Sequence, residues 1–360
     1  MTEAPRLRPG ERDRLFLKRL FLVLLVLALV VFLYKITDLL LLAFGSAVGA
    51  VLLSAVADWI AERTPLSRNI GFGIAILLLL GALWLIGWLF GDELSREFDQ
   101  MMARLPGQWR DAETTLSATP MGRWLVDAMN SAGQGKSLAV TLAGWSLGAG
   151  EILVNFLIVL VGAIFFGAQP RLYRDGIVCL TPPPYRAIVG DALDDCGRTL
   201  KLWLLTQIVL MTTMGLLVGG GLWLAGLKSA AALGMLAALS EFIPYVGPTL
   251  AMVPPIVIAI AGEGSIGGVI AAFVVVRFIQ SSFITPMVER RVVSIPPAIT
   301  LFVILAFGYA FGLFGLFFSA PLLVVAYTLV GRLYLRETIA EEIELPGEEA
   351  EEALQAEREA

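Results

Sequence analysis

A glutamate lies beside a proline- and glycine-rich break inside a long uncharged part of the chain. Glu241 is followed by Pro244, Gly247 and Pro248, and apolar runs flank this motif on both sides. Prolines and glycines weaken or remove helical hydrogen bonds, and irregular backbone persists at membrane depth only where protein or a water-filled cavity satisfies it. The motif predicts a transport site with Glu241 as a proton carrier or cation ligand. A helix-end carboxylate facing interfacial water is the alternative interpretation.

Three further polar residues lie inside apolar segments before and after Glu241. Arg277 and Gln280 are three positions apart, which places them on one face of a helix. They can pair with Glu241 or bind an anionic or polyhydroxyl solute, and the alternative is a buried ion pair that locks one helix to its neighbour. Gln207 is a weaker candidate, because a single amide can belong to the path or simply bridge two helices.

Six prolines and glycines are expected to shape backbone rather than to carry chemistry. At such positions exposed carbonyls and amides can line a path, or the chain can hinge during gating, while close helix packing is the alternative. The six residues are Pro244, Gly247, Pro248, Gly312, Gly315 and Pro321. For three Gly-x-x-x-Gly pairs we expect packing, namely Gly45/Gly49, Gly215/Gly219 and Gly308/Gly312.

Composition places the chain among membrane proteins and narrows its chemistry. Of its 360 residues, 58% are hydrophobic and 16% are charged, which does not suit an ordinary soluble globule. The chain has no histidine and two cysteines, so histidine-based catalysis, zinc sites and haem ligation through histidine are excluded. The Gly-Lys-Ser triplet at 135–137 resembles the end of a phosphate-binding loop. The motif does not match, because Asn130 stands where its first glycine is required. We therefore expect no catalytic site, no metal site, no cofactor and no nucleic-acid partner.

The chain divides into four predicted regions. Residues 1–91 hold N-terminal membrane helices, and residues 92–136 form a small extramembrane helical element or a plain connector. Residues 137–336 form the transport core, in which an amphipathic stretch leads into a long helix from Leu202. Residues 337–360 form an acidic tail, in which nine glutamates and one arginine fall within 341–360. A like-charged tail with few aromatic residues is typical of disorder.

Two broken-helix hairpins are predicted in the C-terminal third, near 230–261 and 297–331. Each consists of two short apolar arms joined at a glycine- or proline-containing turn, so each returns to the side on which it began, whether it spans the membrane fully or is re-entrant. The single helix between them reverses orientation, and the hairpins therefore enter from opposite faces, as in many transporters. Basic flanks near the N-terminus, at 290–291 and at 332–336 predict that both termini are cytoplasmic.

On these motifs the chain resembles the bacterial autoinducer-2 exporter family over nearly its whole length, excluding the tail. The most specific matches are 241–248, Gln280 with Pro286 and Pro297, 311–315 and 319–322. Tyr309 departs from the pattern where the family often has a second glycine, and Arg277 departs where an apolar or small residue is expected. The resemblance implies eight membrane segments and export of small polar signalling molecules or metabolites, and some members are proposed to be sodium/proton antiporters.

The sequence therefore predicts an all-α, polytopic protein of the bacterial inner membrane that acts as a secondary transporter or facilitator. Its expected partners are a small polar solute or ion and the lipid bilayer, and its small-residue faces allow a homo-oligomer. One alternative is sodium/proton antiport, with Glu241 as the shared carboxylate. Another is a membrane scaffold or insertion factor that uses the 92–136 element and the acidic tail for partners.

Overall fold

The computed structural model describes residues 9–91, 149–260, 264–285, 287 and 296–336. The predicted 92–136 element and the acidic tail lie outside the described residues. The regular elements within them are helices: α1 Pro9–Lys35, α2 Thr37–Arg63, α3 Arg68–Gly91, α4 Ala149–Ala168, α5 Pro170–Leu180, α6 Arg186–Leu224, α7 Ala230–Ser240, α8 Val246–Ala251, α9 Val253–Ile260, α10 Ile266–Ile279 and α11 Pro297–Leu329.

The described helices have the length and surface of a protein that crosses a membrane several times. Five of them can cross a bilayer by length and composition, and a sixth span results if the bent α4–α5 pair counts as one. Large apolar side chains point outward, including Leu77, Trp84 and Phe278, each more than 60% exposed. An apolar surface of this extent suits lipid rather than water. The all-α polytopic class is confirmed, and five or six spans among the described residues are compatible with the predicted total of about eight membrane segments.

The N-terminal helices pack through small residues. A Cβ atom added to Gly49 of α2 would lie 2.8 Å from the Ala163 Cβ atom of α4, and one added to Gly162 would overlap Ser46. Gly45 likewise leaves room for the Phe318 ring of α11. The Gly45/Gly49 pair therefore serves close helix packing, as expected for this spacing.

α5 turns away from α4 by 85° and is tied to the start of α6. The Arg174 guanidinium donates from Nε to Asp194 Oδ1 at 2.6 Å, and its Nη2 also contacts that carboxylate. These hydrogen bonds to Asp194 raise the pKa of Arg174 further above its ordinary value. Arg174 therefore keeps its charge, and its contacts with Asp194 anchor the segment that precedes the longest helix.

α6 is the longest of the described helices. It runs unbroken for 39 residues, about 58 Å, directly after a single 3₁₀ turn at Pro183–Tyr185. The sequence predicted an amphipathic stretch leading into a helix from Leu202, and the structure joins both into one helix. Because α6 is longer than the roughly 30 Å of hydrocarbon in a bilayer, part of it lies outside the membrane.

Hairpin 1 consists of α7, the turn 241–245, α8 and α9, and it begins and ends at the C-terminal end of α6. Ser265, just beyond the hairpin, donates its backbone N–H to the Ala225 carbonyl at 3.0 Å. α7 has 11 residues and is about 16 Å long, roughly half of what is needed to cross the hydrocarbon. α7 on its own is therefore too short to span the membrane.

Hairpin 2 lies within α11, whose helical path breaks at Gly312 with φ 62° and ψ −144°. A Cβ atom on Gly308 would lie 3.1 Å from the Leu316 side chain. Residues eight apart in a continuous helix are separated by about 12 Å, so the chain folds back on itself at this point. Gly315 completes the turn by passing directly against the Phe307 carbonyl. The two arms are residues 297–311 and 313–329.

The two hairpins enter from opposite ends of α6, which confirms the predicted arrangement. Hairpin 1 is bonded to Ala225 at the C-terminal end of α6. The base of hairpin 2 is held near the other end, where Cys196 Sγ lies 3.9 Å from the Val325 carbonyl. Just beyond α11, Arg332 Nη2 donates to Asp191 Oδ2 at 3.3 Å.

A seam of small residues joins hairpin 1 to α6. A Cβ atom on Gly234 of α7 would lie 2.7 Å from the Gly219 Cα atom, and one on Gly215 would lie 2.8 Å from Ala238. The two backbones are therefore nearly in contact, which larger side chains would prevent. Fully buried apolar side chains pack beside the seam, including Met214, Val218, Leu222 and Leu233.

Candidate functional site

The tip of hairpin 1 is a tight turn that the proline–glycine motif builds. Tyr245 has a left-handed backbone (φ 65°, ψ −49°), which is strained for a residue with a side chain. Gly247 donates to the Ile243 carbonyl at 2.9 Å, and its Cα lies so close to the Ser240 carbonyl that a Cβ atom would overlap it. Pro244 and Pro248 flank this crossing, so the motif ends α7 at Ser240, directly before Glu241.

The turn places Glu241 where two other helices reach it. Gln280 Nε2 of the α10 segment donates to Glu241 Oε1 at 2.8 Å, and Arg277 Nη1 lies 3.6 Å from the same oxygen. Gln207 Nε2 of α6 donates to the Glu241 backbone carbonyl at 2.6 Å. Glu241 is 7% exposed, and no described residue donates a hydrogen bond to its Oε2 atom. The four polar residues singled out in the sequence therefore meet at one point.

The helical geometry of α10 changes at Gln280. α10 continues as a π-helical turn over Gln280–Ile284, in which Thr285 donates its backbone N–H to the Gln280 carbonyl. A π-turn widens the helix by one residue and is common at functional positions. It starts at the residue that contacts Glu241. The sequence predicted an ordinary α-helix at this position. The residue that follows Thr285 in the sequence is Pro286, which has no backbone N–H to continue a regular helix.

A cavity of about 450 Å³ opens beside Glu241 between α6, both hairpins and α10. This is the size of pocket that takes a small solute. Besides the four residues above, polar side chains from several elements line it, namely Thr206, Tyr245, Ser281, Thr285 and Thr300. Hydroxyl groups both donate and accept hydrogen bonds, so the wall can replace part of the hydration shell of a polar solute.

The expected backbone-shaping residues are divided between two places. Pro244 lines the cavity beside the hairpin 1 turn, where Gly247 and Pro248 are buried. Gly312 and Gly315 instead form the hairpin 2 tip, away from the cavity lining. Pro321 is buried in the second arm of hairpin 2, directly after Ala320, which does line the cavity.

An aromatic cluster separates this polar cavity from an apolar one. Phe242 stacks on Phe317 of hairpin 2 with ring centroids 4.2 Å apart and meets Trp203 of α6 edge-on at 5.7 Å. Trp203 lines the polar cavity, whereas Phe242 and Phe317 line an apolar cavity of about 400 Å³ bounded by α2, α3 and α4. Adjacent residues Glu241 and Phe242 therefore face chemically different spaces.

Sequence reasoning missed several cavity residues. Tyr245 lies inside the motif that was singled out, so its position between Pro244 and Gly247 is the signal that was overlooked. Thr206 adjoins Gln207 but looks like an ordinary polar residue of a membrane helix. Thr300 and Trp203 carry no local signal, since only the tertiary fold brings them to the cavity. Within the described ranges, no group of three acidic or cysteine side chains is placed to hold a metal ion.

Comparison with known proteins identifies the family. A model for the AI-2E family transporters matches residues 20–334, most of the chain. The chain belongs to the AI-2E transporter family. Membership confirms the resemblance drawn from the hairpin motifs and supports a role in membrane transport.

Relatives of this AI-2E family member carry provisional transport-protein names. YrrI of Bacillus subtilis (strain 168) is 26% identical over 51% of this chain and 53% of its own length. YueF of the same strain is 24% identical over 48% of this chain and 47% of its own length. MT0215 of Mycobacterium tuberculosis (strain CDC 1551 / Oshkosh) is 25% identical over 76% of this chain and 78% of its own length. The chain thus spans about half of the length of YrrI and YueF.

Proposed function

We propose that this AI-2E family protein is a secondary transporter or facilitator that exports a small polar molecule, similar to autoinducer-2, across the bacterial inner membrane. The observation that carries the proposal is the buried Glu241 carboxylate at the tip of hairpin 1, bonded to Gln280 beside a polar cavity. A buried carboxylate in a membrane protein is costly, and such residues mark solute or ion pathways. The proposal includes no catalytic step.

The placement of the cavity supports a path closed at one end. Its lining includes Pro297 and Val324 at the base of hairpin 2, on the side where α6 begins. On the opposite side the glycine seam holds hairpin 1 against α6 without a gap for a solute. A solute that reaches Glu241 must therefore wait for hairpin 1 to move before it can leave on the far side, which is the behaviour of an alternating-access transporter.

Sodium/proton antiport is the second candidate, and one observation favours it. Glu241 Oε2 is buried without a donor among the described residues, so it has capacity for a proton or a cation. Against it, Arg277 lies 3.6 Å from the same carboxylate and repels a cation that approaches it. We therefore place solute export first.

The two candidates are separated by flux measurements on the full chain in proteoliposomes. Vesicles loaded with autoinducer-2 test export directly, and an internal pH dye with a sodium jump tests antiport. Release of autoinducer-2 without a sodium-dependent pH change is the expected result. A sodium-dependent pH change alone would establish antiport instead, and silence in both assays would contradict both and favour the scaffold alternative.

A further inference from the structure

The two charged side chains that line the cavity differ in how far a solute can reach them. The Glu241 side chain is 8% exposed, whereas the Arg277 side chain is 41% exposed. Glu241 Oε1 already accepts from Gln280, and Oε2 is buried. The charge that a solute meets on the wall of this cavity is therefore the guanidinium, while the carboxylate lies behind it.

The guanidinium is weakly engaged by the protein. Its Nη1 atom contacts Gln280 Oε1 at 3.4 Å and Glu241 Oε1 at 3.6 Å, both long for charge-assisted hydrogen bonds. Among the described residues no hydrogen bond comes from its Nε or Nη2 atoms. A planar guanidinium with free donors matches the two oxygens of a carboxylate or phosphate group.

A second and independent feature favours negative charge in the same place. Pro297 and Thr300 in the first turn of α11 line the cavity, so the N-terminal end of the 15-residue first arm faces it. At this terminus Pro297 has no N–H, and Ile299 and Thr300 donate their N–H groups to the Pro296 carbonyl, so the attraction for an anion comes from the aligned peptide dipoles of the helix. The positive charge of Arg277 and the dipole of the first arm of hairpin 2 therefore both favour an anion in the cavity.

From these features we infer that the transported solute carries an anionic group, and that Arg277 is the specificity-determining residue that binds it. The inference rests on the proposed transport function and names the class of its substrate. A neutral polyol would leave the guanidinium charge unused in a partly desolvated site, and a cation would be repelled by it. The Glu241 carboxylate, 3.6 Å from Arg277 Nη1, weakens the field of the guanidinium, so that the anion can also leave.

The test is ligand-dependent thermal unfolding of the purified full chain, because a solute that binds only the folded state raises Tm. Two probe pairs differ only in an anionic group: glycerol 3-phosphate against glycerol, and lactate against 1,2-propanediol, all at constant ionic strength. Wild type is compared with Arg277→Gln, with Arg277→Lys, and with Arg68→Gln. Arg68 is the matched control, because it is also 41% exposed and paired with one carboxylate, Asp58, but lies outside the cavity lining.

We expect at least one anionic probe, and not its neutral partner, to stabilise the wild type and Arg68→Gln. Arg277→Gln should weaken that binding by roughly tenfold or more. Arg277→Lys keeps the positive charge but lacks the paired donors of the guanidinium, and it should weaken the binding less. Stabilisation by neither anion, equal stabilisation by the neutral partners, or unchanged binding by Arg277→Gln would overturn the inference. If one of these results is obtained and autoinducer-2 flux is normal, the proposed transport function is retained and only the assignment of an anionic solute is rejected.

Discussion

Glu241 is held in the membrane by contacts that satisfy only part of its carboxylate. Burying an ionised carboxylate costs several kcal/mol even after the protein relaxes, and a single amide at 2.8 Å with a guanidinium at 3.6 Å recovers part of that cost. The remaining oxygen has no described donor. Packing elsewhere in the core must offset the difference, which is the pattern expected where a residue is kept for function rather than for stability.

The hydrogen bond from Gln280 is the shortest contact of the Glu241 side chain, and its loss should be measurable. We expect Gln280→Leu to lower the free energy of unfolding by about 1–3 kcal/mol, because the buried carboxylate loses its best donor. Denaturant unfolding of the purified protein in detergent measures this. Ser281→Ala is the control: Ser281 is exposed, and its hydroxyl makes only a 3.4 Å contact to the Phe278 carbonyl.

Equal unfolding free energies for Gln280→Leu and Ser281→Ala would contradict this description of the site. They would show that water or another group satisfies the carboxylate as well as the amide does. The comparison is informative because the two residues are adjacent in the same π-helical turn, so a general effect on the turn would appear in both variants.

Among the elements, hairpin 2 depends most clearly on one residue. Gly312 adopts φ 62° and ψ −144°, a region open essentially to glycine alone. This conformation reverses the chain within a segment that is apolar throughout and would otherwise continue as one helix. The short arms and the tip of hairpin 2 therefore follow from the backbone freedom at Gly312 and from the close crossing of Gly315 over the Phe307 carbonyl.

Replacing Gly312 by alanine should strain this turn. Nothing lies within 4 Å of the position where the new Cβ atom would be, so the expected loss of about 1–3 kcal/mol comes from backbone strain rather than from a clash. Gly81→Ala in α3 is the matched control, since that position also has open space but ordinary helical backbone, where alanine is favoured. Thermal unfolding of both variants measures the difference, and an unchanged Tm for Gly312→Ala would contradict the assigned turn.

The hairpins could be predicted from the sequence because their signals are local. Proline and glycine interrupt the apolar segments and divide each into two short arms, and one helix between two hairpins requires opposite entry. Glu241, Arg277 and Gln280 were predicted for the same reason, since charged and amide groups are rare in such segments. The types of these residues and their spacing in the sequence were sufficient to predict that they belong to one site.

Other features could not be predicted because they depend on tertiary contacts. The unbroken start of α6 at Arg186 depends on packing against α5, whereas local composition indicated a boundary near Leu202. The π-turn at Gln280 and the left-handed backbone of Tyr245 follow from how the hairpin tip fits against α10. The hydroxyls of Thr206 and Thr300 come together only when α6 and hairpin 2 pack.

At the scale of the whole molecule, the opposed hairpins give the protein an orientation that can be tested. The base of hairpin 1 lies at the C-terminal end of α6, and the base of hairpin 2 lies at the start of α6, next to α5. With both termini cytoplasmic as proposed, α5 and the base of hairpin 2 face the cytoplasm. The turn between α6 and α7 then faces the periplasm.

Cysteine labelling on intact cells checks this orientation. Cys179 of α5 is exposed and Lys228, in the turn between α6 and α7, is also exposed. A membrane-impermeant maleimide should label Lys228→Cys, in a Cys179→Ser and Cys196→Ala background, without permeabilisation. In the Cys196→Ala variant, Cys179 should react only after permeabilisation. The reverse pattern would invert the proposed orientation, and labelling of both residues from one side would contradict the arrangement of the hairpins.

The central claim is that solute passes the Glu241 carboxylate, and efflux of autoinducer-2 from proteoliposomes tests it most directly. Wild type is compared with Glu241→Gln, which keeps the shape but removes the charge, and with Glu62→Gln at the exposed end of α2 as the control. We predict that efflux falls at least about tenfold in Glu241→Gln, because neutralising the carboxylate changes its contacts with Arg277 and Gln280 by roughly 1.4 kcal/mol or more, and is unchanged in Glu62→Gln. Wild-type efflux from folded Glu241→Gln would contradict the claim.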